Sequence, residues 1–324
     1  MKVAFQTNTI CHRGTTIAVK DYAKYNQEIL GNESVIVYPE SFYDPGVSQD
    51  SLTQADVLED LKNNYNVISY SSLSDLNNIC EKENIDATYF IKAGFNDGLV
   101  TKTSKNLIHA VFQSFEPHGD RYAYISDWLA KTVSNGKVDY VPHIVDMPET
   151  RVHNIRDILN IPKDKIVVGR YGGLHQFDIP FVMQTVFDIV NNDSSFVFVF
   201  VNTAKFIDHQ NIIFLNPIID PQLKSDFINS CDAMLHARSG GESFGLAICE
   251  FLFHNKPVFA WEDGTDKNHV EILKNTGNLY NIHNIREQLF KLKDKEVYDY
   301  DYKSLVSEFK PNPVMEKFNT IFLK

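Results

Sequence analysis

Apolar positions follow two different periods along this chain. Short runs rich in β-branched and aromatic residues predict strands, and longer stretches with apolar positions three and four apart predict helices. In the first part of the chain, strands are predicted at residues 2–6, 34–38, 67–70, 87–91, 107–112, 123–125 and 138–141. Helices are predicted up to about residue 30, at 73–83 and from 126 onward. This alternation of strands and helices is typical of β-α-β units with a parallel sheet.

A second series of such units begins near residue 165. Its predicted strands are 166–169, 196–201, 212–215, 233–236, 257–260 and 277–280. Its predicted helices are 179–191, 223–229, 244–253, 285–292 and 314–322. Residues 142–148, which contain two prolines, form the predicted hinge. We therefore expect an α/β protein with domains at 1–145 and 146–308 and a C-terminal helix within 309–324, with ligands bound at the carboxyl ends of the strands.

The predicted helix at 244–253 is apolar nearly all round, and Glu250 interrupts it. A buried carboxylate costs several kcal/mol unless another group pairs with it. Glu242 stands eight residues earlier, which at the rise of an α-helix is roughly 12 Å away. The free amides of Phe244 and Gly245 would lie between the two acids and face an anion. This pattern suits a ligand with hydroxyls at both ends and an anion in its middle, as in a sugar–diphosphate–ribose.

The segment Glu242-Ser-Phe-Gly-Leu-Ala-Ile-Cys-Glu250, followed by Lys-Pro-Val, resembles the E-x7-E motif of retaining GT-B glycosyltransferases, family 4 in particular. The resemblance implies two Rossmann-like domains facing a central cleft, with the last helix crossing back to the first domain. It also implies that Glu242 works at the donor sugar as a catalytic residue. Glu250 would hold the nucleotide ribose, and Ser243, Phe244 and Gly245 the diphosphate.

The stretch from Gly169 to Asp178 resembles a second pattern of this family, G-R-x4-K-G-x-D. Arg170 occupies the arginine position, which implies a contact with the donor diphosphate. His175 stands where the family has lysine, and Gln176 where it has the second glycine. A histidine can donate a hydrogen bond to phosphate, but it carries a full charge only when protonated. A surface salt bridge is the alternative role for Arg170.

Four further residues complete the predicted site. Gly14 lies where the family has a turn facing phosphate and acceptor, and the alternative is an ordinary turn that needs positive φ. Many family members carry a catalytic histidine near the position of Gln113, and His118 is the candidate substitute, unless it is merely solvated. Arg238 precedes a glycine turn, where its charge would reach a phosphate. Asn202 follows a buried strand, where the family cradles the base.

Two other interpretations of the Glu242 segment stay open. Ser239-Gly-Gly-Glu242 fits a capping box, which would make Glu242 only a helix starter. Gly241-Glu-Ser243-Phe-Gly245 fits the G-x-S-x-G nucleophile elbow of a serine hydrolase. The acid and the base of that triad would come from Asp263 or Asp266 and from His269 or His283.

Composition narrows the functional classes. The chain has 324 residues, 43% of them hydrophobic, which is enough for two cores. A formal net charge of −11 argues against nucleic acid or an anionic membrane as the main partner. The four cysteines lack C-x-x-C spacing and indicate reduced thiols in a cytoplasmic protein. The longest apolar run, at 196–201, is too short to cross a bilayer. No metal-ligand spacing is present, and the resemblance implies a metal-independent reaction without a cofactor.

The sequence thus predicts a retaining glycosyltransferase. It would move a hexose from a UDP- or GDP-linked sugar to a hydroxyl acceptor, such as a glycan or glycoconjugate. The departures at His175 and Gln113 motivate a second hypothesis, a non-catalytic nucleotide-sugar or glycan-binding protein on the same scaffold. A serine hydrolase acting through Ser243 is the third.

Overall fold

A computed structural model describes residues 1–11, 14–41, 53–149 and 155–324. The chain divides into two compact units. Unit 1 comprises Met1–Ile144 together with Phe309–Lys324, and unit 2 comprises Val145–Glu308.

Strands and helices alternate in the first part of unit 1, and two further strands and a helix follow. In chain order they are β1 (Lys2–Gln6), α1 (Gly14–Glu28), β2 (Glu33–Pro39), α2 (Ala55–Asn64), β3 (Asn66–Tyr70), α3 (Leu73–Lys82), β4 (Ala87–Lys92), β5 (Lys105–Ala110), β6 (Arg121–Tyr124) and α4 (Asp127–Ser134). The described strands form one parallel sheet in the order β3-β2-β1-β4-β5-β6. Ala4 of β1 lies opposite Val35 of β2 and Thr88 of β4, so β1 is central and buried. The carboxyl ends of these parallel strands meet at one edge.

The structure of unit 1 differs from the predictions at one strand and one helix. Residues 138–141 form only an isolated bridge, in which Tyr124 donates to Asp139 O (3.0 Å) and Val141 donates to Tyr124 O (2.8 Å). Pro142 follows at once and has no N–H with which to extend a strand. Helix α2 was not predicted, because its apolar face is small and only Leu61 in it is fully buried.

Unit 2 repeats the alternation. Its elements are α5 (Ile155–Ile158), β7 (Ile166–Tyr171), α6 (Pro180–Asn192), β8 (Phe196–Val201), β9 (Ile212–Leu215), α7 (Pro221–Ser230), β10 (Ala233–His236), β11 (Gly241–Glu242), α8 (Leu246–Phe253), β12 (Val258–Trp261), β13 (Asp266–Lys267), α9 (Asn268–Leu273), β14 (Leu279–Tyr280) and α10 (Ile285–Phe290). Short 3-10 turns follow up to Phe309. The main sheet of the described residues is parallel, in the order β14-β12-β10-β7-β8-β9.

The core of unit 2 forms around β8, whose six residues are all buried. Phe196, Phe198 and Phe200 point to one face, with neighbouring ring centroids 6.3 Å apart, and Phe200 also stacks on Phe214 at 5.4 Å. A strand that is apolar at every position is what a parallel sheet covered on both faces requires. The rigid sheet holds the loops at the carboxyl ends of β7, β8 and β10.

The final helix, α11 (Pro311–Phe318), belongs to unit 1. Phe318 stacks on Tyr22 with 5.3 Å between ring centroids, and Phe322 meets His109 edge-on at 5.4 Å. Both phenylalanines are fully buried. The prediction that the last helix returns to the first domain is therefore confirmed, and burial of aromatic area is the physical reason for it.

Candidate functional site

The turn between β10 and α8 carries the first predicted acid. The chain passes through Gly240 into the two-residue strand β11, which pairs in parallel with Asp266–Lys267. Gly241 has a φ of +69°, and a Cβ there would come within 1.9 Å of the Asp266 carbonyl oxygen. Only glycine fits this close approach of two backbones. The pairing of β11 thereby fixes the point at which the Glu242 side chain leaves the main chain.

Helix α8 begins at Leu246, two residues after the predicted start at about Phe244. Gly245 has a φ of +91°, a left-handed conformation that interrupts the helix before Leu246. Cys249 donates the first intrahelical bond to Gly245 O at 3.0 Å. The amides at the start of this helix are therefore those of Leu246 and Ala247, two residues later than expected.

Two side chains of the same stretch hold Glu242. His236 Nε2 lies 3.1 Å from Oε1, and Arg238 Nη1 donates to Oε2 at 3.0 Å. Burial acts to raise the pKa of this carboxyl, but the hydrogen bond from His236 and the charges of His236 and Arg238 outweigh it. The pKa is held below its usual value of 4.5. Glu242 is consequently ionised at neutral pH, with a fixed side-chain orientation.

Two histidines that were not among the predicted site residues support this carboxylate. His236 is buried, and its Nδ1 has no hydrogen-bond partner among the described residues. His269 Nδ1 accepts the Glu242 N–H at 3.3 Å, and its Nε2 donates to Trp261 O at 2.8 Å. Burial lowers the pKa of His269 to about 4. His269 is thus a neutral ring that ties β11 to the end of β12.

These contacts argue against both alternative roles of the segment. Ser239 gives its N–H and its hydroxyl to Asp178, at 2.7 and 2.8 Å, and Glu242 lies in a strand, so the capping-box interpretation is wrong. Both ring nitrogens of His269 have backbone partners. His269 therefore has no lone pair available to act as a base for Ser243, and His283 is exposed in the turn after β14.

Glu250, the second predicted acid, is 4% exposed and has a buried partner. Lys224 of α7 places its Nζ 2.5 Å from Glu250 Oε1 and 3.3 Å from the Tyr171 hydroxyl. Burial acts to lower the pKa of Lys224, but the charge of Glu250 outweighs it and raises the pKa. Burial, together with the charge of Glu250, raises the pKa of Tyr171 to about 12. The second oxygen, Oε2, is buried with no hydrogen-bond partner in the described residues.

Sequence reasoning found Glu250 but missed Lys224 and Tyr171. A partner for the carboxylate was required, but Lys224 lies 26 residues away in another helix. The available signal in α7 was a lysine directly after Leu223 and three residues before Phe227, within the apolar spacing of the helix. Tyr171 directly follows Arg170 at the end of β7, and a strand end at the ligand edge was a usable signal for it.

Arg170 and Asn202 join the loops that follow β7 and β8. Arg170 Nη1 donates to Asn202 O (3.0 Å) and Thr203 Oγ1 (2.6 Å), and Nη2 donates to Gly173 O (2.8 Å). Asn202 donates from Nδ2 to Gly172 O at 2.8 Å. Arg170 is 4% exposed, so the surface salt bridge proposed as its alternative role is wrong.

The same guanidinium lies in the field of the predicted acid. Burial lowers the pKa of Arg170 to about 10, and the charges of Glu242 and Asp178 oppose that shift. Arg170 and Glu242 are thus electrostatic neighbours in unit 2. His175, by contrast, is exposed in the loop after β7, Ser243 is half-buried, and Phe244 is buried.

Two of the predicted site residues, Gly14 and His118, lie in unit 1. Gly14 is the exposed first residue of α1, and a Cβ there would meet nothing within 4 Å, so the alternative of an ordinary turn with positive φ is wrong. The expected role of Gly14 beside phosphate and acceptor stays a prediction. His118 Nδ1 donates to Glu116 O at 2.7 Å, and Nε2 lies 3.4 Å from Lys92 Nζ. A catalytic role for His118 stays a prediction, and both of its nitrogens have partners in unit 1.

No group of three or more His, Cys, Asp or Glu side chains in the described ranges could hold a metal ion. Nor does any helix within those ranges have the length and apolar character needed to cross a membrane. The four cysteines are free and buried.

Comparison with known proteins identifies the fold. No family model and no curated protein matches the sequence. A glycosyltransferase from Rickettsia africae superposes with a TM-score of 0.72 at 13% identity, over 99% of this chain and 97% of that one. Anabaena HepE, crystallised with UDP and glucose, gives 0.70 at 13% identity, over 99% and 98%. The predicted GT-B fold is thereby confirmed.

A third structural neighbour carries the name of a different kind of enzyme. A candidate UDP-N-acetylglucosamine 2-epimerase from Listeria monocytogenes superposes with a TM-score of 0.60 at 15% identity, over 94% of this chain and 90% of that one. At such low identity the likeness establishes the architecture, which hosts more than one reaction. The reaction of this protein therefore has to be argued from its own side chains.

Proposed function

We propose that this protein is a retaining glycosyltransferase that moves a hexose from a nucleotide-diphosphate sugar, UDP- or GDP-linked, to a hydroxyl acceptor. We further propose that it works in the cytoplasm, without a metal ion or cofactor. Anabaena HepE, the GT-B neighbour that was crystallised with UDP and glucose, supports the nucleotide-sugar part of this proposal.

One observation carries the proposal. Glu250 has a buried carboxylate oxygen with no partner among the described residues, although Lys224 holds the other oxygen. An unpaired buried acceptor is costly, and a ligand hydroxyl would satisfy it. The ribose of a nucleotide offers two vicinal hydroxyls. Glu242 precedes the start of the same helix and is ionised, so both of its oxygens can accept hydrogen bonds from hexose hydroxyls.

The proposed chemistry needs positive potential at the diphosphate. Arg170 and the amides at the start of α8 would supply it, because a helix N-terminus stabilises an anion. Preorganised donors stabilise the charge that develops on the departing diphosphate. Since these groups would take the place of a bound cation, we expect turnover to continue in EDTA. Nuclear magnetic resonance of the first-formed product would show whether the anomeric configuration is retained.

The test is substitution of Glu242. We expect Glu242→Gln to lower kcat/KM by about 100-fold or more, because the ionised acceptor at the donor sugar is lost. Turnover would be measured by nucleotide release from UDP- and GDP-linked hexoses. The matched control is Glu271→Gln, which removes an exposed acid of unit 2 that is paired with Lys274. Wild-type turnover by Glu242→Gln, with thermal stability unchanged, would contradict the proposal.

A non-catalytic binding protein is the second candidate function. Arg170 already spends three hydrogen bonds on its own loops, and His175 replaces the lysine of the resembling pattern. Calorimetry with UDP, GDP and ADP, followed by turnover assays with their sugars, separates the two functions. Tight nucleotide binding without any turnover identifies the binding protein. Release of an epimerised or free sugar would instead place the chain with the epimerase-like members of this fold.

A further inference from the structure

Three phenylalanines of unit 1 are exposed on neighbouring loops. Phe95 is 49% exposed, Phe112 53% and Phe115 46%. Phe95 lies in the loop after β4, and the other two lie in the loop after β5. Phenylalanine is among the residues most often buried, and clustered exposed apolar side chains mark interaction sites. We call these three residues the aromatic platform.

Backbone hydrogen bonds join the two loops that carry the platform. Phe112 donates to Ala93 O at 3.3 Å, and Glu116 donates to Gly94 O at 3.3 Å. In the other direction, the N–H of Asn96 donates to Glu116 Oε2 at 3.0 Å. Phe112 therefore forms one of the hydrogen bonds between the loops itself. Phe95 and Phe115 are sequence neighbours of residues that form the others.

The platform also rests on the last strand of the sheet. Tyr122 of β6 donates its hydroxyl to Gly94 O at 2.7 Å, and Tyr124 donates to Ser114 O at 2.8 Å. Gly94 has a φ of +114°, and a Cβ there would come within 2.9 Å of Ser114 O. The loops approach so closely that their backbone is held before any ligand binds. Preorganisation of this kind lowers the entropic cost of binding.

The polar residues beside the platform define its ligand. Asn96, Gln113, Ser114 and Glu116 are direct sequence neighbours of the three phenylalanines, and the parts of the loops that carry them, 93–98 and 111–117, contain no lysine or arginine. Anionic lipid headgroups attract basic clusters, which these loops lack, and the whole chain carries a net charge of −11. Aromatic faces beside amide, hydroxyl and carboxylate groups complement a sugar ring, which has apolar C–H faces and a rim of hydroxyls.

We propose that the aromatic platform binds a glycan, either neutral or carrying amino groups. The phenyl rings lie against the C–H faces of the sugar rings, and the side chains beside them accept and donate hydrogen bonds to the hydroxyls. The identification of this glycan as the acceptor rests on the proposed function. The binding of a glycan by the aromatic platform does not depend on the proposed function.

The experiment measures saccharide binding by the full chain. An array of neutral, amino-bearing and acidic oligosaccharides identifies the strongest ligand, and calorimetry then gives its Kd. We expect the double variant Phe112→Ala/Phe115→Ala to weaken binding by about tenfold or more, because two of the three aromatic contacts with the sugar rings are lost. The matched control is Ile282→Ala, which removes a 57% exposed apolar side chain from unit 2.

Two internal comparisons separate this inference from the proposed function. The platform variant should keep wild-type affinity for UDP, and Glu242→Gln should keep wild-type affinity for the saccharide. The inference is overturned if no saccharide binds, if acidic saccharides bind best, or if the platform variant binds as the wild type does. It is also overturned if the variant instead loses binding to phosphatidylcholine vesicles or loses self-association in sedimentation.

Discussion

The sequence predicts that Glu250 is buried and needs a partner, but it does not identify that partner. Its position in an apolar helix made a buried partner necessary, and the structure supplies Lys224, with Tyr171 beside it. A buried ion pair contributes little net stability, but breaking one leaves an uncompensated charge in the interior. The unpaired Oε2 marks the part of this cluster that is left for a ligand.

The first residue-scale prediction concerns this pair. We expect Lys224→Met to lower the free energy of unfolding by about 3–5 kcal/mol, because Glu250 is then buried without a cation. The double variant Lys224→Met/Glu250→Leu should recover most of that loss, since neither charge remains. Guanidinium unfolding of the wild type, both single variants and the double variant measures the coupling. Additive effects of the two substitutions would show that the residues do not interact.

The candidate acids were predictable because their spacing within eight residues is local information. His236 and Arg238, which bond to the two carboxylate oxygens of Glu242, are also close to it in the sequence, just before the glycine turn. The role of His269 was not predictable, because its contact with the Glu242 amide arises only when β11 pairs with β13. Nothing in the sequence around His269 indicates which backbone groups its ring will meet.

At the scale of elements, the two-residue strand β11 decides where the site lies. It was not predicted, because two residues carry no hydrophobic period. Gly241 permits it, and Gly245 then sets the start of α8 by its left-handed conformation. The sequence signalled a glycine turn but gave no reason to separate Gly240 from Gly241.

Substitution of the two adjacent glycines tests this assignment. Gly241→Ala should lower the free energy of unfolding by about 3 kcal/mol, because its Cβ would meet the Asp266 carbonyl and its φ is left-handed. Gly240→Ala should change it by less than about 0.5 kcal/mol, because the space around its Cβ is open. Chemical unfolding followed by circular dichroism measures both variants. Equal effects would mean that β11 and β13 do not pair.

The C-terminal helix provides the second element-scale prediction. Phe318→Ala should cost about 3–5 kcal/mol, because it removes a buried ring from the cluster around Tyr22. Thr320→Ala, an exposed change two residues later, is the matched control. Thermal unfolding of the full chain measures both variants. If the two melt at the same temperature, α11 is not part of the core of unit 1.

At the scale of the whole molecule, buried neutral histidines connect stability to pH. Burial lowers the pKa of His109 to about 4 and that of His143 to about 3 in unit 1. In unit 2, burial lowers the pKa values of His254 and His269 to about 4. An unfolded histidine titrates near 6.5. Between that pH and about 4, the unfolded chain therefore binds protons that the folded chain does not.

These histidines should make the folded protein less stable at acid pH. Stability should fall as the pH decreases from about 6.5 to 4, by up to about 1.4 kcal/mol per pH unit for each such histidine. The depressed pKa of Glu242 adds to the loss at the acid end of this range. Guanidinium unfolding at pH 7.5, 6 and 5 would measure this decrease in the free energy of unfolding. His143→Phe should flatten the slope and exposed His283→Ala should not, and a slope of zero in the wild type would contradict the assignment.

Local pattern by itself determined the α/β class, most strand positions, the two acids and the arginine at the end of β7, because hydrophobic period and residue spacing are encoded along the chain. Tertiary structure alone decided the partner of Glu250, the support of β11 by His269, the loop contacts of Arg170 and the joining of the two phenylalanine loops. Each of these depends on distances between residues that are remote in sequence. Such distances are fixed only when the sheets form and bring their loops together.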